Sequence, residues 1–369
     1  MAEVEGATLA VSDRERLIWA ALASDLRFGP KSFQHLLAYT SELASLWDEI
    51  DHSLLPGVHP ELVGRIIQIK QQTNLEQLHE KLARLSVQVI TLHDPAYPAL
   101  LKEIAVPPAV LFVRGELVDQ PTIAVVGTRS MTPYGKRVVG DIVTELARQG
   151  LVVVSGLALG IDGAAHRAAL DGKGGTWAVL ASGVDQPYPA SHRQLAQDIL
   201  ASGGALISEF PLGTGALRHH FPIRNRIIAG LSKATLVIEA SEQSGTLLTA
   251  RAALESNRDV LTVPGSIYSP HSRGPHSLLQ LGAKLVQSAE DVLFELHLTN
   301  TRNEQVVKTI VPDSNEEALI LAALGADPMT MDDLVEAVGL PAATVMSTVT
   351  LMEMKGRLRN LGNNCFVRR

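Results

Sequence analysis

Between residues 118 and 296, short apolar runs alternate with helical segments. The runs are 123–126, 151–154, 177–180, 205–207, 236–238 and 260–263. Each is built almost entirely from Val, Ile, Leu and Ala, with no polar alternation, so both faces of each strand must be covered. Helical segments at 134–149, 161–171, 189–202, 223–231 and 245–257 supply that cover. The alternation predicts an α/β fold, a doubly wound, Rossmann-like parallel sheet.

The flanks follow other rules. Residues 12–55 and 58–86 carry apolar residues at helical spacing, such as Leu17, Ile18, Ala21 and Leu22, then Leu62, Ile66 and Ile67. Breaks at Gly29-Pro30 and Pro56-Gly57 divide them. The spacing suits a small helical bundle, or SAM-like helix-hairpin-helix units whose hairpin amides face a phosphate. The cations after the second hairpin are scattered, which favours the bundle. Strands at 87–92 and 107–115 lead into the sheet. A polar stretch at 299–313 reads as a linker. The tail, 314–369, has helices at 315–324, 331–338 and 341–354 and strands at 357–361 and 365–368, the order of a winged helix. Its expected recognition helix, 342–355, carries Glu353 and Lys355 as its only charges. Major-groove readers present Arg, Lys, Asn or Gln there, so packing or protein contact is favoured over base reading. The expected domains are therefore 1–86, 87–298 and 314–369.

Composition narrows the function. Of 369 residues, 46% are hydrophobic, which excludes disorder as the main state. The single cysteine, Cys365, excludes an intramolecular disulfide framework and a Cys-rich zinc site, and fits a reducing cytoplasm. No apolar run reaches about 18 residues, so no transmembrane helix is expected. Residues 1–6 carry Glu3 and Glu5 and no basic stretch, so no secretory signal is expected. Net charge is −7, and 118–296 holds 15 basic and 15 acidic residues. Any polyanion site must come from a few placed cations and backbone amides, not from a general field.

In an open parallel sheet, ligands bind outside the carboxyl ends of the strands. Here those ends are followed by Gly127-Thr128-Arg129-Ser130, Ser155-Gly156, Ser182-Gly183, Ser208-Glu209, Ser244-Gly245-Thr246 and Pro264-Gly265. Small and hydroxyl residues let backbone amides approach an anion. Gly127 and Gly245 are expected to permit tight turns. Ser244-Gly245-Thr246 opens a helix whose N-terminus favours negative charge. Arg129 can pair bidentately with a phosphate. No GxGxxG and no GxxxxGK[ST] is present, so a dinucleotide or Walker-type site is not indicated.

The run from Arg218 to Arg226 is the least ordinary segment. It holds three arginines, His219, His220 and Phe221 in a domain of zero net charge. Arg224, Asn225 and Arg226 at a helix start, with Phe221 as a stacking face, suggest phosphate and base contact. A solvated basic turn is the alternative. Asp162 and His166, spaced i, i+4, read as a capping Asp with a structural His more readily than as an acid–base pair. Glu209 and Glu239 at strand ends are expected to fix nearby arginines.

Taken together, these loops resemble the DprA/Smf DNA-processing family. The resemblance is carried by Val125-Val126-Gly127-Thr128-Arg129, Tyr134-Gly135, Ser155-Gly156-Leu157-Ala158, Gly160-Ile161-Asp162 and Ala165-His166. Further along it is carried by Tyr188-Pro189, Ser208-Glu209-Phe210-Pro211, Phe221-Pro222 with Arg224-Asn225-Arg226, Glu239-Ala240, Ser244-Gly245-Thr246 and Val263-Pro264-Gly265. It is dense over 120–290, and the helical front and winged tail suit the family's three-part layout. The resemblance implies a single-stranded-DNA-binding protein of natural transformation. Such proteins coat incoming strands, help load the RecA recombinase, act as homodimers, and need neither catalysis nor a cofactor. It implies that Arg129 contacts DNA. Leu159 stands where the family often has a basic or aromatic residue, which removes a contact, and Thr128 replaces a serine. Two other classes remain. A phosphoribohydrolase-like nucleotide enzyme would use Ser244-Gly245-Thr246, but the glycine-rich run expected before it is missing. A transcription regulator would rest on the winged helix alone.

Overall fold

The computed structural model describes residues 11–40, 42–50, 58–298, 313–324, 329–355, 357–360 and 365–368. Residues 1–6, the Pro56-Gly57 break, the Gly362-Asn363-Asn364 turn and all of the expected linker except Asp313 lie outside them. The chain forms two compact units, Met1–Asn300 and Thr301–Arg369. Among the described residues, no single helix is long and apolar enough to cross a membrane.

The first unit opens with helices α1 (Asp13–Ala23), α2 (Pro30–Leu37), α3 (Leu43–Glu49), α4 (Pro60–Gln72) and α5 (Leu75–Arg84). The long helical stretches thus break into shorter pieces where capping groups take over the backbone. Asn74 Oδ1 accepts the Glu76 and Gln77 amides and starts α5, a break that apolar spacing does not mark. The buried Glu15 carboxylate accepts from Trp19 Nε1 at 2.8 Å and from the Leu43 and Ala44 amides at 2.8 and 2.7 Å. Its negative charge therefore holds α1 to the positive end of α3.

The chain continues through β1 (Val87–Thr91), α6 (Ala99–Lys102), β2 (Val110–Gly115), β3 (Thr122–Val126), α7 (Pro133–Arg148), β4 (Val152–Ser155) and α8 (Ile161–Asp171). Next come β5 (Thr176–Val179), α9 (Arg193–Ala201), β6 (Ala205–Ser208), α10 (His220–Gly230), β7 (Ala234–Val237) and α11 (Thr246–Glu255). The unit ends with β8 (Asp259–Thr262), α12 (Arg273–Gln280), β9 (Lys284–Leu285) and α13 (Ala289–Glu295). These strands make one sheet in the order β1-β2-β6-β5-β4-β3-β7-β8-β9. Strands β3 to β9 pair in parallel, as the Rossmann-like reading requires. β1 and β2 add an antiparallel edge. Apolar runs report burial and not chain direction, so this reversal, like the two-residue β9, is not visible in the sequence pattern.

Successive β3 side chains feed opposite layers. Ile123 and Val125 pack with Val139, Ile142 and Val292 under α7 and α13. Ala124 and Val126 pack with Ile227 and Ala250 under α10 and α11. The helical front shares a third core with the sheet edge, where Ile18 and Trp19 join Phe112, Leu195 and Leu206. Strand order reverses between β3 and β7, and the crevice outside their carboxyl ends is where such sheets bind ligands.

The second unit contains α14 (Asn315–Ala323), β10 (Met329–Thr330), α15 (Met331–Val338), α16 (Ala342–Met354), β11 (Leu358–Asn360) and β12 (Cys365–Arg368). Its three strands order as β10-β12-β11, around a core that includes Ile320, Leu334, Val345, Val349 and Met352. This is a winged helix. Thr330 and Asp333 close a capping box at the start of α15. Lys355 and Arg357 both pair with Asp313 and Glu317.

Candidate nucleic-acid interface

The first loop after β3 is clamped from two sides. A Cβ on Gly127 would sit 2.5 Å from Ile161 Cγ1 and 3.0 Å from the Glu239 carbonyl oxygen, so only glycine fits. Thr128 N donates to that carbonyl at 2.7 Å, and Thr128 O accepts from Ile161 N at 3.1 Å. Gly160, at φ 76°, lets α8 start against the loop. Thr128 Oγ1 lies 3.3 Å from both the hydroxyl and the amide of Ser130. With its backbone fixed, the loop turns Arg129 outward. Arg129 is exposed and makes no ion pair or hydrogen bond among the described residues. Its guanidinium lies 5.0 Å from the centroid of the Phe221 ring, within cation–π range.

Glu239 braces the same loop. Its carboxylate accepts from Thr132 N at 3.0 Å and Thr132 Oγ1 at 2.5 Å, while Thr132 caps α7 at the Gly135 amide. It was expected to fix an arginine and instead fixes a helix cap. Glu209 does hold an arginine, with Arg226 Nη2 at 2.5 and 2.6 Å.

Arg224 and Arg226 are corrected by their partners. Arg224 is 3% exposed and donates through Nη1 to the Gly156 and Val179 carbonyls, each at 2.5 Å. Its Nε donates to Asn225 Oδ1 at 3.2 Å. Burial lowers its pKa to about 10, against the pull of Asp162. It ties the ends of β4 and β5 together and is an internal strut, only grazing the crevice. Arg226 is held by Glu209 and by the Val106 carbonyl at 2.7 Å, away from the crevice. Ser155 and Gly156 are also buried. Ser155 Oγ donates to Val125 O at 2.7 Å, and a Cβ on Gly156 would sit 2.1 Å from Arg224 Nη1. Neither presents a face to a ligand; both shape the floor.

Asp162 and His166 do not pair with each other. Asp162 accepts from Gly156 N at 3.1 Å, and burial pushes its pKa up while Arg224 opposes that shift. His166 Nδ1 meets Thr176 Oγ1 at 2.7 Å, and burial pushes its pKa down to about 3. His220 stacks on Phe210 at 4.2 Å and holds the Ala181 carbonyl at 3.2 Å, so it is part of the scaffold.

A cleft of about 590 Å³ opens at the switch point between β3 and β7. Gly127, Arg129, Phe221, Arg224, Asn225 and Ser244-Gly245-Thr246 line it. The structure thus brings together eight of the thirteen expected residues. Thr128, Ser130, Ser155, Gly156 and Arg226 are not among the lining. Gly245 is not needed for a tight turn: it has an ordinary helical φ of −58° and open space where a Cβ would go. The α11 start also offers fewer free amides than expected. Ser244 Oγ accepts the Thr246 amide at 3.2 Å, and Ser244 O accepts the Leu247 amide at 3.0 Å. Two residues outside the expected set belong here. Arg218 lines the cleft, exposed and with no ion pair or hydrogen bond among the described residues. Tyr188 meets Phe221 edge-on at 6.1 Å. Their signals were in the sequence, Arg218 inside the basic run and Tyr188 beside Pro189.

The family described as DNA recombination-mediator protein A matches residues 88–297, and the DprA winged helix domain matches 308–364. The chain belongs to the DprA/Smf family. It is 43% identical to the DNA processing protein DprA of Bacillus subtilis over 241 residues, 63% of this chain and 81% of that protein. It is 42% identical to Protein Smf of Escherichia coli over 270 residues, 70% and 72% of the two chains. The crystal structure of DprA from Streptococcus pneumoniae superposes with a TM-score of 0.65 at 35% identity, covering 78% of this chain and 99% of that one. A DprA structure from Helicobacter pylori superposes with a TM-score of 0.52 at 29% identity, covering 57% and 96%. That second structure is described for the unique single-stranded DNA binding mode of the H. pylori protein. Membership in this DprA family makes the chain one of a group of DNA recombination mediators.

Proposed function

We propose that this chain binds single-stranded DNA in the β3–β7 cleft, with Arg129 and Arg218 on phosphates and Phe221 against a base. One observation carries the reading: an exposed arginine with no ion pair or hydrogen bond among the described residues lies over an aromatic ring at the carboxyl edge of the sheet. That is the cation-plus-stacking combination that grips a single strand with little regard to sequence. The H. pylori relative's single-strand binding supports it. In this reading the protein is a cytoplasmic homodimer without cofactor or catalysis. It coats incoming strands in natural transformation and hands them to RecA. The nucleotide-hydrolase alternative loses support because Asp162, the carboxylate lining the cleft, is buried and accepts the Gly156 amide, and Glu239 beside it is engaged by Thr132.

A gel-shift series against salt, on single-stranded and duplex DNA of one sequence, tests the reading beside a nucleotide-hydrolysis assay. Single strands should bind at lower protein concentration, with affinity falling steeply as salt rises, and no nucleotide should turn over. Equal or better duplex binding, or turnover that vanishes in Glu239→Gln, overturns it.

A further inference from the structure

Beside the cleft lies a second pocket of about 360 Å³. Tyr188 joins the two. Its ring meets Phe221 edge-on and also lines the second pocket, and the residue is 53% exposed. Arg114, near the end of β2, and Arg193, the first residue of α9, line the same pocket. Neither side chain makes an ion pair or hydrogen bond among the described residues. This matters because many arginines of the first unit are anchored, as Arg16 is by Asp94, Arg226 by Glu209 and Arg258 by Glu103. Arg129 and Arg218 at the cleft, and Arg114 and Arg193 at this neighbouring pocket, are arginines whose side chains have no such anchor among the described residues.

The rest of the lining has matching chemistry. Leu200 and Leu206 give an apolar floor, and Gln197 gives an amide that can bond a base edge without fixing its identity, whereas Gln186 Nε2 already donates to the Gly213 carbonyl at 3.3 Å. The lining carboxylate, Asp185, has both oxygens turned to the Gly213 amide at 3.0 Å, so it is already engaged. The volume falls at the lower end of the roughly 300–1,000 Å³ typical of small-ligand sites. A flat ring flanked by a phosphate fits such a place.

We propose that this pocket is a second nucleotide subsite. It takes a base and phosphate of the same single strand after the strand leaves the Arg129 cleft and rounds the edge of Tyr188. The inference rests on the single-strand reading above and extends it by naming a direction along the surface.

The test is fluorescence anisotropy over a salt series, with oligothymidylates of about 4 and about 12 nucleotides, lengths that bracket small single-strand sites. Arg114→Gln/Arg193→Gln should leave the short oligomer within about twofold of the unaltered protein while weakening the long one about tenfold. Its slope of log K against log salt on the long oligomer should fall by about 1.4, or about 0.7 for each lost contact. Arg114→Lys/Arg193→Lys should restore that slope. Arg193→Glu serves as a second probe that folds independently of Arg114, since an acidic residue is favourable at a helix start. It should weaken the long oligomer at least as much. Long-oligomer affinity and slope unchanged in the Gln pair or in Arg193→Glu overturn the subsite. If Arg129→Glu abolishes binding in the same series, the single-strand reading survives that failure. No binding of either oligomer by the unaltered protein overturns both.

Discussion

The cleft edge of the sheet and the winged tail both carry basic residues, but they use them in opposite ways. In the cleft, Arg129 and Arg218 are exposed and have no ion-pair partner among the described residues. In the tail, Lys355 at the end of α16 is held by Asp313 at 2.9 Å and Glu317 at 2.7 Å, and Arg357 by the same two carboxylates. A cation whose charge is answered within the fold contributes to structure. A cation left unanswered on a rigid loop is available to an outside anion. The comparison predicts that nucleic-acid affinity resides in the first unit's cleft and that charge changes in the tail are felt as stability.

The largest expected effect tests the cleft side. Arg129→Glu removes a charge-assisted contact worth about 1.5–3 kcal/mol and adds repulsion, so single-strand affinity should drop at least about 100-fold. The melting temperature should hold, because the side chain is exposed and makes no ion pair or hydrogen bond among the described residues. Anisotropy and calorimetry on the same sample check both halves. Arg129→Lys should recover part of the affinity, since it keeps charge but loses the planar fork. Normal binding by Arg129→Glu would break the comparison at its centre.

Arg224→Ala should give the reverse pattern. It leaves the Gly156 and Val179 carbonyls without their donor and the buried Asp162 without its facing cation. Breaking a buried charged contact of this kind costs roughly 3–5 kcal/mol. A sharp fall in melting temperature is expected, with any binding loss following from the loosened floor. A stable Arg224→Ala with weakened binding would return this residue to direct DNA contact.

These two arginines show what the sequence could and could not reveal. Arg129 was legible because its loop is short, offers no acidic neighbour, and follows a strand whose apolar run is unmistakable. Arg224 and Arg226 looked equivalent, two residues apart around a helix start. Their fates are set by groups far along the chain, the Gly156 and Val179 carbonyls for one and Glu209 for the other. Such pairing depends on how α10 is rotated against the sheet, and no local pattern encodes that. Tyr188 was marked by the Pro189 beside it, but only the fold sets it against Phe221. The parallel strands were legible from their uninterrupted apolar runs, whereas the reversed direction of β2 was not, because burial looks the same either way.

A third prediction concerns acid stability of the first unit. His166 is fully buried and its pKa is lowered from 6.5 to about 3. In the unfolded chain it takes up a proton below about pH 6.5; in the fold it resists until about pH 3. The unfolded state therefore binds more protons in that window, and stability falls as pH falls through it. The loss reaches roughly 4 kcal/mol by pH 3, at about 1.4 kcal/mol per unit. His166→Gln should flatten the pH dependence of the melting temperature between pH 6.5 and 3. An equally steep fall in the variant would assign that acid sensitivity to other groups.

The smallest effect belongs to the tail and sharpens the comparison from its other side. Hydrogen bonds from Lys355 and Arg357 hold the Asp313 carboxyl down at about 2, below its ordinary 3.8, and Glu317 is shifted in the same direction by Lys355. Carboxylates depressed in the fold stabilise it above their unfolded pKa. That contribution is lost as pH drops from about 4 towards 2. Glu317 is buried, but Asp313 and Lys355 face water, so salt should screen their share of the effect and its size should be small. Lys355→Ala should speed amide exchange along α14 and α16 near neutral pH and reduce the extra loss of protection seen on acidification. It should leave the salt slope of single-strand binding unchanged, because a cation already held by two carboxylates releases no counterion from DNA. A slope lower by about 0.7, the size of one phosphate contact, would show that Lys355 leaves its partners for the strand. The tail would then share the work assigned to the cleft.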